Sequence, residues 1–224
     1  MAEPRPAAEI AVLAKAPIPG LAKTRLIPRL GADRAARLQD ALTGHAVRTA
    51  LAAGLGSLTL WCTPDAQHPA FAALARNTNV ALRTQRGADL GARMAHAVSE
   101  HAARGPVLLT GTDCPALTAE HLRAAAAALA AGDDAVLFPA EDGGYVLVGL
   151  TESHPALFEG IPWGGERVME ATRERLHAIG LRWSEPATLW DLDRPEDLDR
   201  LGKATAAAAQ SDAVLVEDLI YTEC

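Results

Sequence analysis

The sequence predicts a three-layer α/β fold with a mixed, mainly parallel sheet, and three observations carry that prediction. Short apolar runs of strand length alternate with longer stretches of helical spacing along most of the chain. The clearest run, Pro106 to Thr110 (PVLLT), is an apolar run of strand length, as suits a parallel strand covered on both faces. Clustered charges fall at the predicted strand ends, where an open α/β sheet binds its ligands.

The elements follow in order. Ile10 to Leu13 reads as the first strand. After a loop, a helical pattern begins near Gly31, and Asp33 to Ala53 has Ala, Leu and Val at helical spacing with Arg and Gln between, an amphipathic helix. Ser57 to Thr63 (SLTLWCT) reads as a strand, Pro69 to Arg76 as a helix, Val80 to Thr84 as a short strand and Leu90 to Ala103 as a helix. The PVLLT strand then ends at Gly111-Thr112-Asp113-Cys114-Pro115. Leu117 to Ala131 is an alanine-rich helix, Ala135 to Pro139 a strand, and Tyr145 to Leu150 (YVLVGL) another strand after the turn at Gly143-Gly144. Gly164 to Ile179 reads as a helix, and Leu181 to Trp183 and Thr188 to Trp190 as short strands. A final helix is expected near Pro195, because Pro at the first helical position followed by Glu196 and Asp197 is a start signal. No internal repeat or interdomain linker interrupts the 224 residues, a length that suits one domain. The expected core spans about residues 9–202, and 203–224 form an alanine-rich extension. Its apolar stretch from Ala213 to Tyr221 can pack on the body or on a second copy, which makes a homodimer one reading.

Composition narrows the partners. A formal charge of −7 without a sustained basic face argues against nucleic acid. Cys62, Cys114 and Cys224 are too few and too far apart for a disulfide framework or a CxxC metal site, and fit a reducing cytoplasm. Met1 to Pro6 has no apolar signal core, and no apolar run reaches the ~20 residues that span a bilayer. The expectation is a cytoplasmic protein with no membrane contact.

Against this acidic background the cations are concentrated. The chain has three lysines against eighteen arginines, and Lys15 and Lys23 both lie in Ala14 to Leu26 (AKAPIPGLAKTRL), on the predicted loop between the first strand and its helix. With Arg25 they can neutralise a di- or triphosphate, so a nucleotide is the expected ligand. Carboxylates occupy other strand ends. Asp113 follows the most buried strand, either as a helix cap for the segment after Pro115 or as a functional group. Asp191 and Asp193 are two residues apart, so on an extended segment both project to one face. They are either a charged turn before the last helix or a pair for a hard divalent cation, since Mg²⁺ takes one or two carboxylates plus substrate phosphate oxygens. If Asp113 meets the pair in space, the three form a metal site.

Other motifs fail on spacing. Gly20 precedes Lys23 by three residues rather than one, which excludes a Walker A loop. No GxGxxG follows a strand and no GxSxG elbow occurs. Asp191-Leu192-Asp193 lacks the glycine and distant glutamate of a calcium loop. The histidines are scattered, and nothing near Cys114 in sequence supplies a base for a nucleophile.

Six segments in order carry a family resemblance: KAPIPGLAKTRL (15–26), QRGADLGARM (85–94), LTGTDCPAL (109–117), PAEDGGYVLVGL (139–150), IPWG (161–164) and DLDRPEDL (191–198). From about Ile10 to Leu201 the chain resembles a bacterial group of the nucleotide-diphospho-sugar transferase superfamily with the GT-A fold, labelled glycosyltransferases of arsenosugar-type biosynthesis and associated with radical-SAM and selenodomain genes. It is also similar to phosphoenolpyruvate and phospholactate guanylyltransferases. The resemblance implies that Ala14, Lys15, Gly20, Lys23 and Arg25 hold nucleotide phosphates, with Asp89, Leu90 and Gly91 near the base or ribose. It implies Mg²⁺ (or Mn²⁺) on Asp113, Asp191 and Asp193, and an acceptor side of Glu141, Asp142, Gly143, Gly144, Tyr145, Trp163 and Gly164. Arg194 stands where threonine is usual and Gly165 where serine or threonine is frequent, departures that bear on acceptor contacts.

Two transfer chemistries suit these residues. In nucleotidyl transfer an oxyanion of a small anionic acceptor attacks the α-phosphorus of a nucleoside triphosphate and pyrophosphate leaves. Lys15, Lys23, Arg25 and Asp113 then act by positioning and charge stabilisation, with no protein nucleophile. In glycosyl transfer from a nucleotide sugar, an inverting enzyme also needs a base, for which Glu141 or Asp142 is a candidate on a glycine-rich turn that otherwise reads as a polar hairpin. The cationic loop is richer than a diphosphate requires, which favours nucleotidyl transfer. A nucleotide-binding protein without turnover is the third reading, and loss of a metal ligand would be its sign.

Overall fold

The computed structural model describes residues 8–201. The strands are β1 (Glu9–Lys15), β2 (Leu58–Thr63), β3 (Ala81–Thr84), β4 (Val107–Thr110), β5 (Ala135–Pro139), β6 (Tyr145–Leu150) and β7 (Trp183–Ser184). Between them lie α1 (Ile27–Leu30), α2 (Ala32–Ala53), α3 (Pro69–Thr78), α4 (Leu90–Ala102), α5 (Ala119–Ala130) and α6 (Val168–Ala178). One seven-stranded sheet runs β3-β2-β1-β4-β6-β5-β7. Only β6 is antiparallel to its neighbours β4 and β5, because the tight turn at 140–144 makes β5 and β6 a hairpin. The mixed, mainly parallel sheet is therefore the expected one.

Alternation along each strand divides the core between the two sheet faces. Ile10, Val12 and Ala14 of β1 face α2, α3 and α5, with Leu60, Phe71 and Leu122. Ala11 and Leu13 face the other way with Trp61, Met94, Leu109 and Leu176, under α4 and α6. A third cluster of Leu26, Leu38, Leu42, Trp190, Leu192 and Leu198 lies beside α2 and joins the lysine loop to the last described segment.

Several sequence expectations shift. The helix expected from Leu117 begins at Ala119, where Thr118 and His121 form a reciprocal cap. The helix expected from Gly164 begins at Val168, because Pro162 and the positive φ of Gly164 hold 162–167 in turns. Thr188 to Trp190 is not a strand, and contributes only a parallel bridge from Leu189 to Ala140. The last helix starts at 197 rather than 195, since the Asp197 carboxylate accepts from the backbone N–H groups of Asp193 and Arg194 and closes a turn first. The short turns at Thr24–Leu26 and α1 add structure where a loop was expected. The extension 203–224 with Cys224 lies outside the described residues. Among the described residues no helix is long and apolar enough to cross a membrane.

A polar cluster around the buried His101 joins β1, β2 and α4. Trp61 Nε1 donates to His101 Nε2 at 3.2 Å, and His101 Nδ1 lies 3.2 Å from Glu9 Oε2 and 2.8 Å from Arg104 Nη2. Burial, with the Arg104 and Arg83 charges, lowers the His101 pKa against the opposing pull of Glu9. Burial raises the pKa of Glu9, but hydrogen bonds from Ser57, His101 and Arg104 outweigh it and hold the pKa below the ordinary value. Both folded pKa values are depressed, so the unfolded chain binds more protons and stability falls on acidification. The His101 share begins to disappear below its ordinary 6.5 and the Glu9 share below 4.5. Denaturation midpoints of wild type and His101→Gln should therefore diverge between pH 7 and pH 5, the wild type losing more. Parallel profiles would show that His101 takes its proton in the folded state at no cost.

Candidate functional site

A cavity of about 610 Å³ opens at the carboxyl ends of β1 and β4. The end of β1 supplies Leu13, Ala14 and the exposed Lys15. The following loop turns through Gly20, whose φ is +81°, and returns Lys23 and Arg25 to the cavity wall. Gln85 beyond β3 ties these strand ends together, its amide donating to the Ala14 carbonyl at 3.1 Å and the Trp61 carbonyl at 2.8 Å. Thr110 to Cys114 beyond β4 form the floor, and Asp142, Gly144, Tyr145, Trp163 and Gly164 the far wall. Asp191 and Asp193 close the remaining side. The lysine loop, Asp113 and the Asp191–Asp193 pair, distant in sequence, thus meet in one cavity.

Lys23 is the hub of that meeting. Its backbone is left-handed, φ 46° and ψ 46°, and its side chain is only 3% exposed. Nζ lies 2.6 Å from Asp113 Oδ1 and donates to the Leu192 carbonyl at 2.6 Å, while the Leu192 N–H donates to the Asp113 carbonyl at 2.7 Å. Arg25 pairs with Asp193. Asp113 is therefore not a helix cap: Thr118 caps α5, and the Asp113 carboxylate faces the lysine. Asp191 makes no ion pair among the described residues. Burial, with the negative charges of Asp142, Asp193 and Asp113, pushes its pKa up to about 6.

Not every expected residue reaches the cavity. Ala14, Lys15, Lys23, Arg25 and Leu90 line it, but Gly20, Asp89 and Gly91 do not. Asp89 caps α4, accepting from the Ala92 N–H at 2.8 Å. A Cβ on Gly91 would lie 2.4 Å from the Phe158 carbonyl oxygen and 2.6 Å from Trp163 Nε1, so this glycine lets α4 pack against the loop before α6. On the acceptor side, Glu141 and Gly143 face a second, neighbouring recess. Glu141 forms a two-pronged ion pair with Arg200 at 2.6 and 2.8 Å, and Arg200 stacks over Trp190 with 4.7 Å to the ring centroid. Of the two candidate bases, Asp142 is the one on the main cavity. Cys114 is buried and its thiol is pushed up to about 12, so it is no nucleophile at neutral pH.

Sequence reasoning missed Gln39 and Thr112. Gln39, buried on α2, donates to Thr112 Oγ1 at 2.9 Å, and Thr112 donates in turn to Asp113 Oδ1 at 3.4 Å. The signal was present: Gln39 and Thr43 interrupt the apolar face of α2 at i, i+4 spacing. Arg93, Met94 and Leu109, which also line the cavity, carried no comparable signal.

Among the described residues no three His, Cys, Asp or Glu side chains form a ready-made metal-binding group. The donor chemistry nevertheless fits Mg²⁺, which needs only one or two protein carboxylates beside phosphate oxygens. The crowding of charge that raises the Asp191 pKa is what a divalent cation relieves.

The sheet order, the antiparallel β6 and the cavity over β1 and β4 define a nucleotide-diphospho-sugar transferase fold. The chain belongs to the DUF2064 family, described as uncharacterized proteins conserved in bacteria, whose profile matches residues 46–165. A crystal structure from Desulfovibrio desulfuricans G20, provisionally named a nucleotide-diphospho-sugar transferase, is 30% identical with a TM-score of 0.84, over 95% of this chain and 96% of that one. A cytidylyltransferase from Leptospira borgpetersenii shares the fold at 13% identity and a TM-score of 0.60, over 97% and 98% of the two chains. So does a CMP:2-keto-3-deoxy-manno-octonic acid synthetase complexed with CTP, at 11% identity and 0.58, over 90% and 99%. No curated protein matches the chain in sequence.

Proposed function

We infer that this protein is a metal-dependent, nucleotide-utilising transferase, and that its reaction is nucleotidyl transfer from a nucleoside triphosphate to a small anionic acceptor. One observation carries the reading: three cations from the end of β1 and the loop after it, and three carboxylates from two other segments, line the same cavity. The 30% identical relative named for nucleotide-diphospho-sugar transfer supports the class. Lys15 and Arg25 bind phosphate oxygens from the open side, and the exposed Leu21 and Leu90 offer apolar surface to a base at the cavity mouth. Asp191, helped by Asp113 and Asp193, would hold Mg²⁺, which when bound supplies charge stabilisation for the departing pyrophosphate. Asp142 and Tyr145 face the side left for the acceptor.

The provisional name of the 30% identical relative favours a second reading, glycosyl transfer from a nucleotide sugar, with Asp142 as base. A thermal-shift screen with Mg²⁺, four nucleoside triphosphates and a panel of nucleotide sugars decides between them. A ligand at a hundredfold excess over its dissociation constant stabilises the fold by ~2.7 kcal/mol. Stabilisation by one triphosphate supports nucleotidyl transfer and names the base, selective stabilisation by a nucleotide sugar supports the alternative, and no shift with any ligand removes the class.

A further inference from the structure

Resting on that functional reading, we propose that Lys23 and Arg25 are stand-in cations for the metal, so that metal and phosphate chain enter by one exchange of ion-pair partners. The cations expected to meet phosphate are already paired with the carboxylates expected to meet metal: Lys23 with Asp113, Arg25 with Asp193. Two cations and two carboxylates of the site thus satisfy one another across the cavity.

This arrangement makes the two ligands depend on each other. A phosphate chain alone draws Lys23 and Arg25 away, and leaves Asp113 and Asp193 unneutralised beside Asp142 and Asp191, which already repel one another. A divalent cation alone takes the carboxylates and leaves the Lys23 ammonium, 3% exposed, without its counter-ion. Of the four paired groups only the Lys23 ammonium is buried, and leaving a buried charge uncompensated is costly. With both ligands present, every charge finds an opposite one: carboxylates on metal, cations on phosphate, metal on phosphate. The gain over either ligand alone is a coupling free energy, and it is reciprocal. Lys23 is placed for such an exchange because it borders the cavity while its second bond, to the Leu192 carbonyl, keeps the ammonium at the wall when Asp113 lets go.

The test uses inorganic pyrophosphate and Mg²⁺, which make no demand on the identity of base or acceptor. Calorimetry with pyrophosphate in the presence of chelator compares wild type with Asp113→Asn, Asp193→Asn and Asp142→Asn. The first two free a cation. The third removes a carboxylate from the same cavity that pairs with none among the described residues. Asp113→Asn and Asp193→Asn should bind metal-free pyrophosphate at least roughly threefold more tightly than wild type, the range of a partly exposed pair, and Asp142→Asn should change it markedly less. Side-chain NMR of selectively labelled lysine reads the exchange in the unaltered protein, where only three lysines contribute. The Lys23 ammonium resonance should stay in place with pyrophosphate or Mg²⁺ alone and move when both are present. Equal gains from all three substitutions, or a Lys23 signal that moves with pyrophosphate alone, would overturn the exchange. Failure of wild type to bind Mg²⁺ and pyrophosphate together would overturn it along with the functional reading, whereas tight joint binding without these signatures sinks the exchange only.

Discussion

Asp191→Asn should abolish metal-dependent turnover while leaving the protein as stable as before, or more so. The carboxylate sits half-buried among Asp142, Asp193 and Asp113, with no ion-pair partner among the described residues. Charge that the fold keeps against repulsion and desolvation has a use other than stability. Neutralising it relieves the repulsion, so the melting temperature should hold or rise. The lost charge stabilisation of the leaving group should lower kcat by about two to three orders of magnitude, the usual effect of deleting one such electrostatic contact. Melting curves and steady-state rates on the same preparation test both halves. A variant retaining more than a tenth of wild-type activity removes Asp191 from the reaction, and a variant that melts several degrees lower makes it a structural residue.

The second large effect falls on a glycine. Gly143 has a φ of +92°, and a Cβ there would lie 2.0 Å from the Glu166 carbonyl oxygen. Its own carbonyl accepts from the Met169 N–H at 2.8 Å, so the β5–β6 turn is docked on the start of α6 from both sides. Gly143→Ala strains the backbone and forces the two loops apart at once, with an expected cost of about 3 kcal/mol or more. For a chain of this size that is a fall of roughly 6–12 °C in melting temperature. Because the turn also aims Asp142 into the cavity and Glu141 at Arg200, the variant should lose activity even at temperatures where it stays folded. A melting temperature within two degrees of wild type would mean that the turn can open without penalty.

These effects show where sequence was informative. The alternation of apolar runs with helical spacing located the long elements, because α2 buries residues at the helical period while β1 and β4 are buried almost throughout. It also located the carboxylates and cations that line the cavity, since charged residues at strand ends have few alternative partners. Thr188 to Trp190 misled because Leu189 is buried with the core on the α2, α3 and α5 face and Trp190 in the third cluster, and not by a ladder. The pairing of β6 with β4 is a contact between strands that are not consecutive in the chain, which periodicity does not encode. Lys23 was the hardest case: a lysine in a cationic loop reads as exposed, and nothing local announces that its ammonium is buried against a carboxylate 90 positions away. Asp89 and Gly91 lie off the cavity and serve as a helix cap and a close packing point, roles that select the same residue types as binding does.

The clip at Leu192 bears on when the protein becomes competent. Its N–H and carbonyl join Asp113 and Lys23, so a bond set closed by one of the last described segments fixes the geometry of a loop among the first. Chains emerge from the ribosome amino end first, and the strands through β6 can assemble before residue 190 has been made. Until Leu192 arrives, Lys23 has no carbonyl to hold it and Asp113 lacks the backbone partner beside it. A chain that lacks Leu192 can therefore hold most of the sheet and still lack the bonds that fix Lys23 and Asp113 at the cavity wall.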